Sequence, residues 1–221
     1  FSGNVFGTGF GSLTKEGSFT ATINPVIQHS GGTIVNDGIL RLNQSGLPLD
    51  GGNGQFGSSG HTVTVNSGAT LELTADWVMG GGHRHELVAD GGTIDFADED
   101  NYQSRFTLTG GHITTRTTGG GHPWRVGNFD NALFTVNASG DESTISGLLT
   151  FVKHGTGGTA TFDVADGGAA NDLVLSARIY DPPGPWAGMR LVKTGPGTLQ
   201  LTNTGNSWKG GLSIDGGTVS V

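Results

Sequence analysis

Short runs of alternating apolar and polar residues, each closed by glycine, recur along the whole chain. The clearest are Thr33-Ile34-Val35-Asn36-Asp37-Gly38-Ile39-Leu40-Arg41-Leu42 and Val63-Thr64-Val65-Asn66-Ser67-Gly68-Ala69-Thr70-Leu71-Glu72-Leu73. Leu87-Val88-Ala89-Asp90-Gly91-Gly92-Thr93-Ile94-Asp95-Phe96 and Phe106-Thr107-Leu108-Thr109-Gly110-Gly111-His112-Ile113 repeat the grammar. Period-two alternation sends one side of a strand inward and the other into water. Each run therefore predicts two short strands around a polar-glycine corner. The corner glycines Gly38, Gly68, Gly92 and Gly111 are 30, 24 and 19 residues apart, which brackets one solenoid coil plus loops. An antiparallel sandwich would instead show regular hairpins with two-residue turns. The rhythm continues through Phe134-Thr135-Val136, Ile145, Leu148, Phe151-Val152-Lys153-His154-Gly155, Phe162-Asp163-Val164 and Leu173-Val174-Leu175. No stretch has a helical period. Gly51 to Gly60, Gly80 to Gly82, Thr117 to Gly121 and the proline-rich Asp181 to Trp186 are predicted as loops pushed out of the coils. No domain boundary is visible, so residues 1–221 form one β-helical segment.

Two distant segments share one text. Leu13, Lys15, Gly17, Thr20 and Ile23 match Leu191, Lys193, Gly195, Thr198 and Leu201 at an offset of 178. Gly32, Val35, Gly38, Leu40 and Leu42 match Gly211, Ile214, Gly217, Val219 and Val221 at an offset of 179. The Leu-x-Lys-x-Gly-x-Gly-Thr-Leu-x-Leu run at Leu191 to Leu201, with the Gly-Gly-x-x-x-x-Gly-Gly-Thr-Val run at Gly210 to Val219, resembles the autotransporter-associated β-strand repeat of secreted bacterial passenger domains. In the copy at 13–42, Phe19 replaces the second glycine. The resemblance implies a right-handed, single-stranded parallel β-helix exported to the cell surface. The motif is structural and implies no catalytic residue.

Composition sharpens this. Glycine supplies 42 of 221 residues without the every-third spacing of collagen, so it marks turns. The net charge of −8 argues against nucleic acid and anionic membranes as partners. No apolar run reaches the length of a membrane span. The absence of cysteine excludes a disulfide scaffold and a thiol nucleophile, and it suits export through an oxidising compartment.

Candidate chemistry is sparse. His83-Arg84-His85-Glu86 puts two imidazoles at strand spacing, but a metal needs three or four ligands. Asp95, Asp98, Glu99 and Asp100 offer oxygens for weakly bound calcium, without the glycine of an EF-hand loop. Coil stacking would bring Asp95 near Glu72, and Arg105, Arg116 or Arg125 with His112 or His122 would be the base of a lyase. Neither idea rests on a spacing. There is no Gly-x-Ser-x-Gly elbow and no phosphate-binding loop. Trp77, Trp124 and Trp186, with Arg125 beside Trp124, sit in or near glycine- or proline-rich stretches where an aromatic face would stack on a sugar ring. Trp208 belongs to the same weighing, against the plainer role of covering the core.

The reading that emerges is a non-catalytic extracellular rod, without a cofactor, in a bacterial surface protein. Its partners are itself or neighbouring repeats stacked end to end, and surface glycans at its loops. A polysaccharide-binding or polysaccharide-cleaving β-helix is the alternative.

Overall fold

The computed structural model describes residues 6–9, 11–24, 28–29, 31–43, 61–76, 78–79, 85–97, 99, 101–115, 124–126, 131–151, 158–180 and 188–221, excluding the side chains of 6–9, 28–29, 102, 124–126 and 180. Among the described residues there is no helix. The predicted loops at 51–60, 80–82, 117–121 and 181–186 lie outside that set.

The strands stack into a parallel β-helix. One nine-stranded sheet is built from Leu13–Lys15, Thr33–Val35, Thr62–Asn66, Glu86–Asp90, Arg105–Thr109, Ala132–Val136, Thr159–Val164, Arg190–Thr194 and Leu212–Ile214. A second contains Thr20–Ile23, Ile39–Leu42, Thr70–Leu73, Thr93–Asp95, His112–Thr114, Ser143–Ser146, Leu173–Leu175, Thr198–Leu201 and Thr218–Ser220. Each coil thus contributes one strand to each sheet, and neighbours in both sheets are parallel. A third sheet of four strands (Tyr102–Gln103, Trp124–Val126, Leu148–Phe151 and Arg178–Tyr180) joins the middle coils. Phe6–Gly9 pairs with Gln28–His29 outside these three.

The alternation read from the sequence fixes the register, because a one-residue slip would turn every apolar side chain to water. Val63, Leu87, Phe106, Phe134 and Phe162 form one inward column of the first sheet. All five are buried. The rings of Phe106, Phe134 and Phe162 stack at 4.7 Å, which is the spacing between strands. Phe96 and Phe151 meet the ends of this stack edge-on at 6.5 and 6.3 Å. Leu71, Ile94, Ile113 and Ile145 make the facing column in the second sheet. A single core cluster runs along the stack.

Glycine is required where coils turn tightly over one another. Gly38 and Gly217, equivalent in the two repeat copies, have φ of 64° and 66°. A Cβ at Gly38 would lie 2.5 Å from the Phe19 carbonyl oxygen and 2.6 Å from that of Gly17. At Gly217 it would strike the carbonyls of Gly197 and Gly195, the same positions one repeat on.

One core position breaks the pattern. Gln103 is fully buried, and neither atom of its amide has a hydrogen-bond partner among the described residues. A buried polar group left unsatisfied costs about 1–3 kcal/mol. Gln103→Met keeps the length of the side chain and removes the amide, so its urea midpoint should rise with an unchanged slope. A lower midpoint would mean that the amide is satisfied in solution.

Candidate functional site

The repeat motif is organised by a buried lysine. Lys193 is completely buried, yet its Nζ donates to the Thr194, Gly195 and Gly216 carbonyls at 2.6, 2.9 and 3.2 Å. Two of these belong to its own corner and the third to the corner of the next coil. Lys15 repeats the arrangement, donating to the Glu16 carbonyl at 2.9 Å, to that of Gly17, and across the coil to Asp37 at 2.9 Å. Burial lowers the pKa of Lys193, and the carboxylates of Asp163 and Asp172 oppose that shift. In the degenerate copy, Phe19 places its ring 4.1 Å from the Lys15 Nζ, where a cation–π contact adds to the carbonyls. The Leu-x-Lys-x-Gly signature therefore encodes a clip between coils rather than a reactive amine.

Asp172 forms a second clip. Its two oxygens accept from the amide of Gly167 at 2.7 Å and from that of Thr198, one coil on, at 2.8 Å.

Several polar side chains at the corners and outer faces of the two long sheets bond from rung to rung. Asn66 donates to Asn36 and Asn36 to Glu16, each at 2.6 Å, forming a ladder up one corner. Asn137 with Thr109, Thr194 with Asp163, and Ser146 with Thr114 make similar rung-to-rung bonds. On the second sheet, Arg41, Glu72, Asp95 and Thr114 share a column. Glu72 and Asp95 are thus adjacent, as stacking implied. Both already hold partners: Arg41 Nε pairs with Glu72 at 2.5 Å, and the Ala97 amide donates to Asp95 at 2.8 Å. Ala97 has a φ of 48°, a left-handed conformation that this bond to Asp95 supports. His112, another lyase candidate, contacts Thr144 at 2.9 Å on the next coil.

His83 lies outside the described residues. His85 is buried and meets His61, one coil below, with ring centroids 5.6 Å apart. Their separation in the chain hid this pair. His61 is 3% exposed, and its Nδ1 accepts the Gly32 amide at 3.2 Å, which puts the neutral ring's proton on Nε2. Burial lowers its pKa. The unfolded chain binds this proton near pH 6.5 and the folded chain resists it, so the contribution of His61 is complete above about pH 6.5 and is lost as pH falls. The melting temperature should drop between pH 7.5 and 5. His61→Gln, which keeps an acceptor for Gly32, should flatten that slope; an unchanged slope would assign the pH dependence elsewhere.

Among the described residues, no three His, Cys, Asp or Glu side chains converge to hold a metal. Asp98 and Asp100 lie outside the described set, and Glu99 is half-buried with its amide donating to Phe96 at 3.2 Å.

Of the aromatic candidates, Trp77 and Trp186 lie outside the described residues. Trp124 and Arg125 fall on a short strand of the third sheet, in register with Leu149 and Thr150. Trp208 packs against the core while its Nε1 donates to Gly211 at 3.2 Å. It covers the core, the plainer of its two readings.

Two segments, 13–42 and 191–221, match the passenger-associated-transport-repeat family. They are the two copies that carry the lysine clips. The chain is also similar to the adhesin BmaC autotransporter of Brucella suis biovar 1 (strain 1330), with 30% identity over 215 residues. That match covers 94% of this chain and 5% of the adhesin's length. No solved structure matches. The matched repeats make up well under half of the chain, which spans about one twentieth of the adhesin's length.

Proposed function

With two passenger repeats on one continuous β-helix as the premise, we propose that this chain is a non-catalytic, adhesive rod segment of a large autotransporter. The observation that carries the reading is the unbroken parallel stack in which both repeat copies clip one coil to the next. Such a stack is stiff, chemically inert and long in one direction, which suits holding binding surfaces away from a cell. Nine strands at about 4.8 Å span about 38 Å between the outermost rungs.

The likeness to an adhesin over 94% of the chain supports an adhesive role. Glu72 and Asp95, the carboxylates that stacking brings together, are engaged by Arg41 and by the Ala97 amide.

The test is attachment of the purified chain to cells and to immobilised glycans, alongside electron microscopy. Saturable attachment by a rod that releases no reducing ends from polysaccharide supports the reading. Release of reducing ends or unsaturated sugars would replace it with an enzymatic one.

A further inference from the structure

One inward column of the first sheet carries imidazoles where its later rungs carry small or aliphatic side chains. His61 and His85 immediately precede Thr62 and Glu86, which are partners in register, so the two rings belong to consecutive coils. Further along, the same place is held by Ser104, Ala132, Ala160 and Leu191. All six residues are buried. The two imidazoles lie with centroids 5.6 Å apart and planes tilted by 42°.

His61 also ties three coils together. The Gly32 amide of the coil below donates to its Nδ1 at 3.2 Å, and the Glu86 amide of the coil above donates to its main-chain carbonyl at 3.0 Å. The first of these bonds fixes the chemistry of the ring. A neutral imidazole has one nitrogen lone pair to offer, and Gly32 occupies it while Nε2 carries the proton. A metal ion would have to displace the amide. An incoming proton has to take the same atom, so His61 cannot be charged and still accept from Gly32. Two N–H donors would then face each other, one rung from a second imidazole.

On the strands 33–35, 62–66, 86–90 and 105–109, which carry or flank the pair, the ionisable groups are Glu86, Asp90 and Arg105. Glu86 and Arg105 share an outward column, with Glu86 accepting from Thr107, and Asp90 is exposed at the far end of its strand. None of the three is on the face that carries the rings. Burial lowers the pKa of His61, and unlike Lys193 it draws no offsetting attraction from a carboxylate among the described residues.

We propose that the His61–His85 pair is an acid-operated latch between neighbouring coils, closed while both rings are neutral and opened by the protons that break the Gly32–His61 bond. This adds a place and a proton count to the pH dependence of His61, and it holds whatever the rod attaches to. The latch is closed above about pH 6.5 and opens as pH falls below it, because the opened coils take up protons that the closed ones refuse. Each ring linked in this way multiplies the open population by at most about ten-fold per pH unit, and two rings by at most about a hundred-fold. Coils further along touch only their own neighbours, so the opening stays local. A stiff rod thereby gains a hinge in acidic surroundings.

The experiment is hydrogen exchange on the whole chain from pH 7.5 to 5, corrected for the intrinsic pH dependence of exchange. Between pH 6 and 5, protection over 31–35, 62–66 and 86–90 should fall by more than about ten-fold, beyond what one histidine can supply. Protection over 132–136 and 159–164 should change by less than about three-fold. His61→Gln keeps an acceptor for Gly32 and removes one titrating ring, so the fall should shrink to about ten-fold or less. His85→Gln should do the same. Histidines that only fill space would shift protection equally at every pH. Uniform loss along the chain, full protection at pH 5, or an unchanged fall in both variants would overturn the latch. If the variants fail to fold, ring nitrogen shifts of the unaltered chain decide. At pH 7.5 His61 should be neutral with its proton on Nε2, and a charged ring or a proton on Nδ1 would overturn the proposal. Zinc chloride at pH 7.5 should leave the melting temperature unchanged. A rise that His61→Gln abolishes would make the pair a metal site instead.

Discussion

Replacing Phe134 with alanine should destabilise the β-helix by about 3–5 kcal/mol, the range for emptying a buried phenylalanine site. Phe134 is the middle ring of a three-ring stack, 4.7 Å from both Phe106 and Phe162. Its loss removes two ring contacts and leaves a cavity that neither neighbour can fill, because each is held in register by its own strand. In a stack where each coil touches only its neighbours, the damage should be local. Hydrogen exchange should therefore accelerate first over 105–109, 132–136 and 159–164, and the denaturation midpoint should fall. Phe134→Leu, which fills most of the volume, should lose far less. Equal losses for both variants would mean that stacking geometry, not volume, sets the stability of this column.

Replacing Lys193 with methionine should be the second large effect. The substitution keeps an unbranched apolar stem and deletes the ammonium, leaving the Thr194, Gly195 and Gly216 carbonyls without that donor. A fully buried acceptor deprived of a partner costs about 1–3 kcal/mol; the three here are half-buried, so each costs less, and the loss is partly offset because the charge no longer has to be desolvated. A net loss of about 2–4 kcal/mol is expected by urea denaturation, concentrated in the coil that follows. Lys15→Met should lose less, since the Lys15 site is 4% exposed whereas Lys193 is completely buried. A stabilised Lys193→Met chain would show that desolvation outweighs the clip. The shared chemistry of the two repeat copies would then need another explanation than coil coupling.

How much of this was legible depends on whether a feature is local in the chain. The alternation in Val63-Thr64-Val65 and Phe106-Thr107-Leu108 is local, and it predicted inward and outward sides that the burial pattern reproduces. The corners were readable to within one residue. At the glycine pairs the left-handed turn falls on Gly91 and Gly110, with φ of 69° and 56°, ahead of the expected Gly92 and Gly111. The second glycine of each pair serves close approach instead. A Cβ at Gly92 would lie 2.5 Å from the Val65 carbonyl oxygen, so only glycine lets the coils come this near.

Features set by stacking were not readable. The third sheet uses strands as short as Tyr102–Gln103, too brief for a period to show. His61 and His85 meet because their coils stack, at a chain separation no local pattern marks. The lysine of the repeat was visible as text, but not its burial, since a lysine at an inward position contradicts the usual sorting of charge. Three carbonyls at the corner resolve that conflict, and they belong to two different coils.

The most direct test of the stacked register uses the absence of cysteine in the chain. Thr107 and Thr135 are neighbours across one rung, and Thr135 and Asp163 across the next. Cysteines at 107 and 135 would place their Cα atoms about 4.8 Å apart, within reach of a disulfide, whereas cysteines at 107 and 163 would be about twice as far. Oxidation of the two double variants, read by mass spectrometry of the monomer, should close the first pair and leave the second open. Failure of the first pair to close, or equal closure of both, would contradict the parallel coil stack on which the whole account stands.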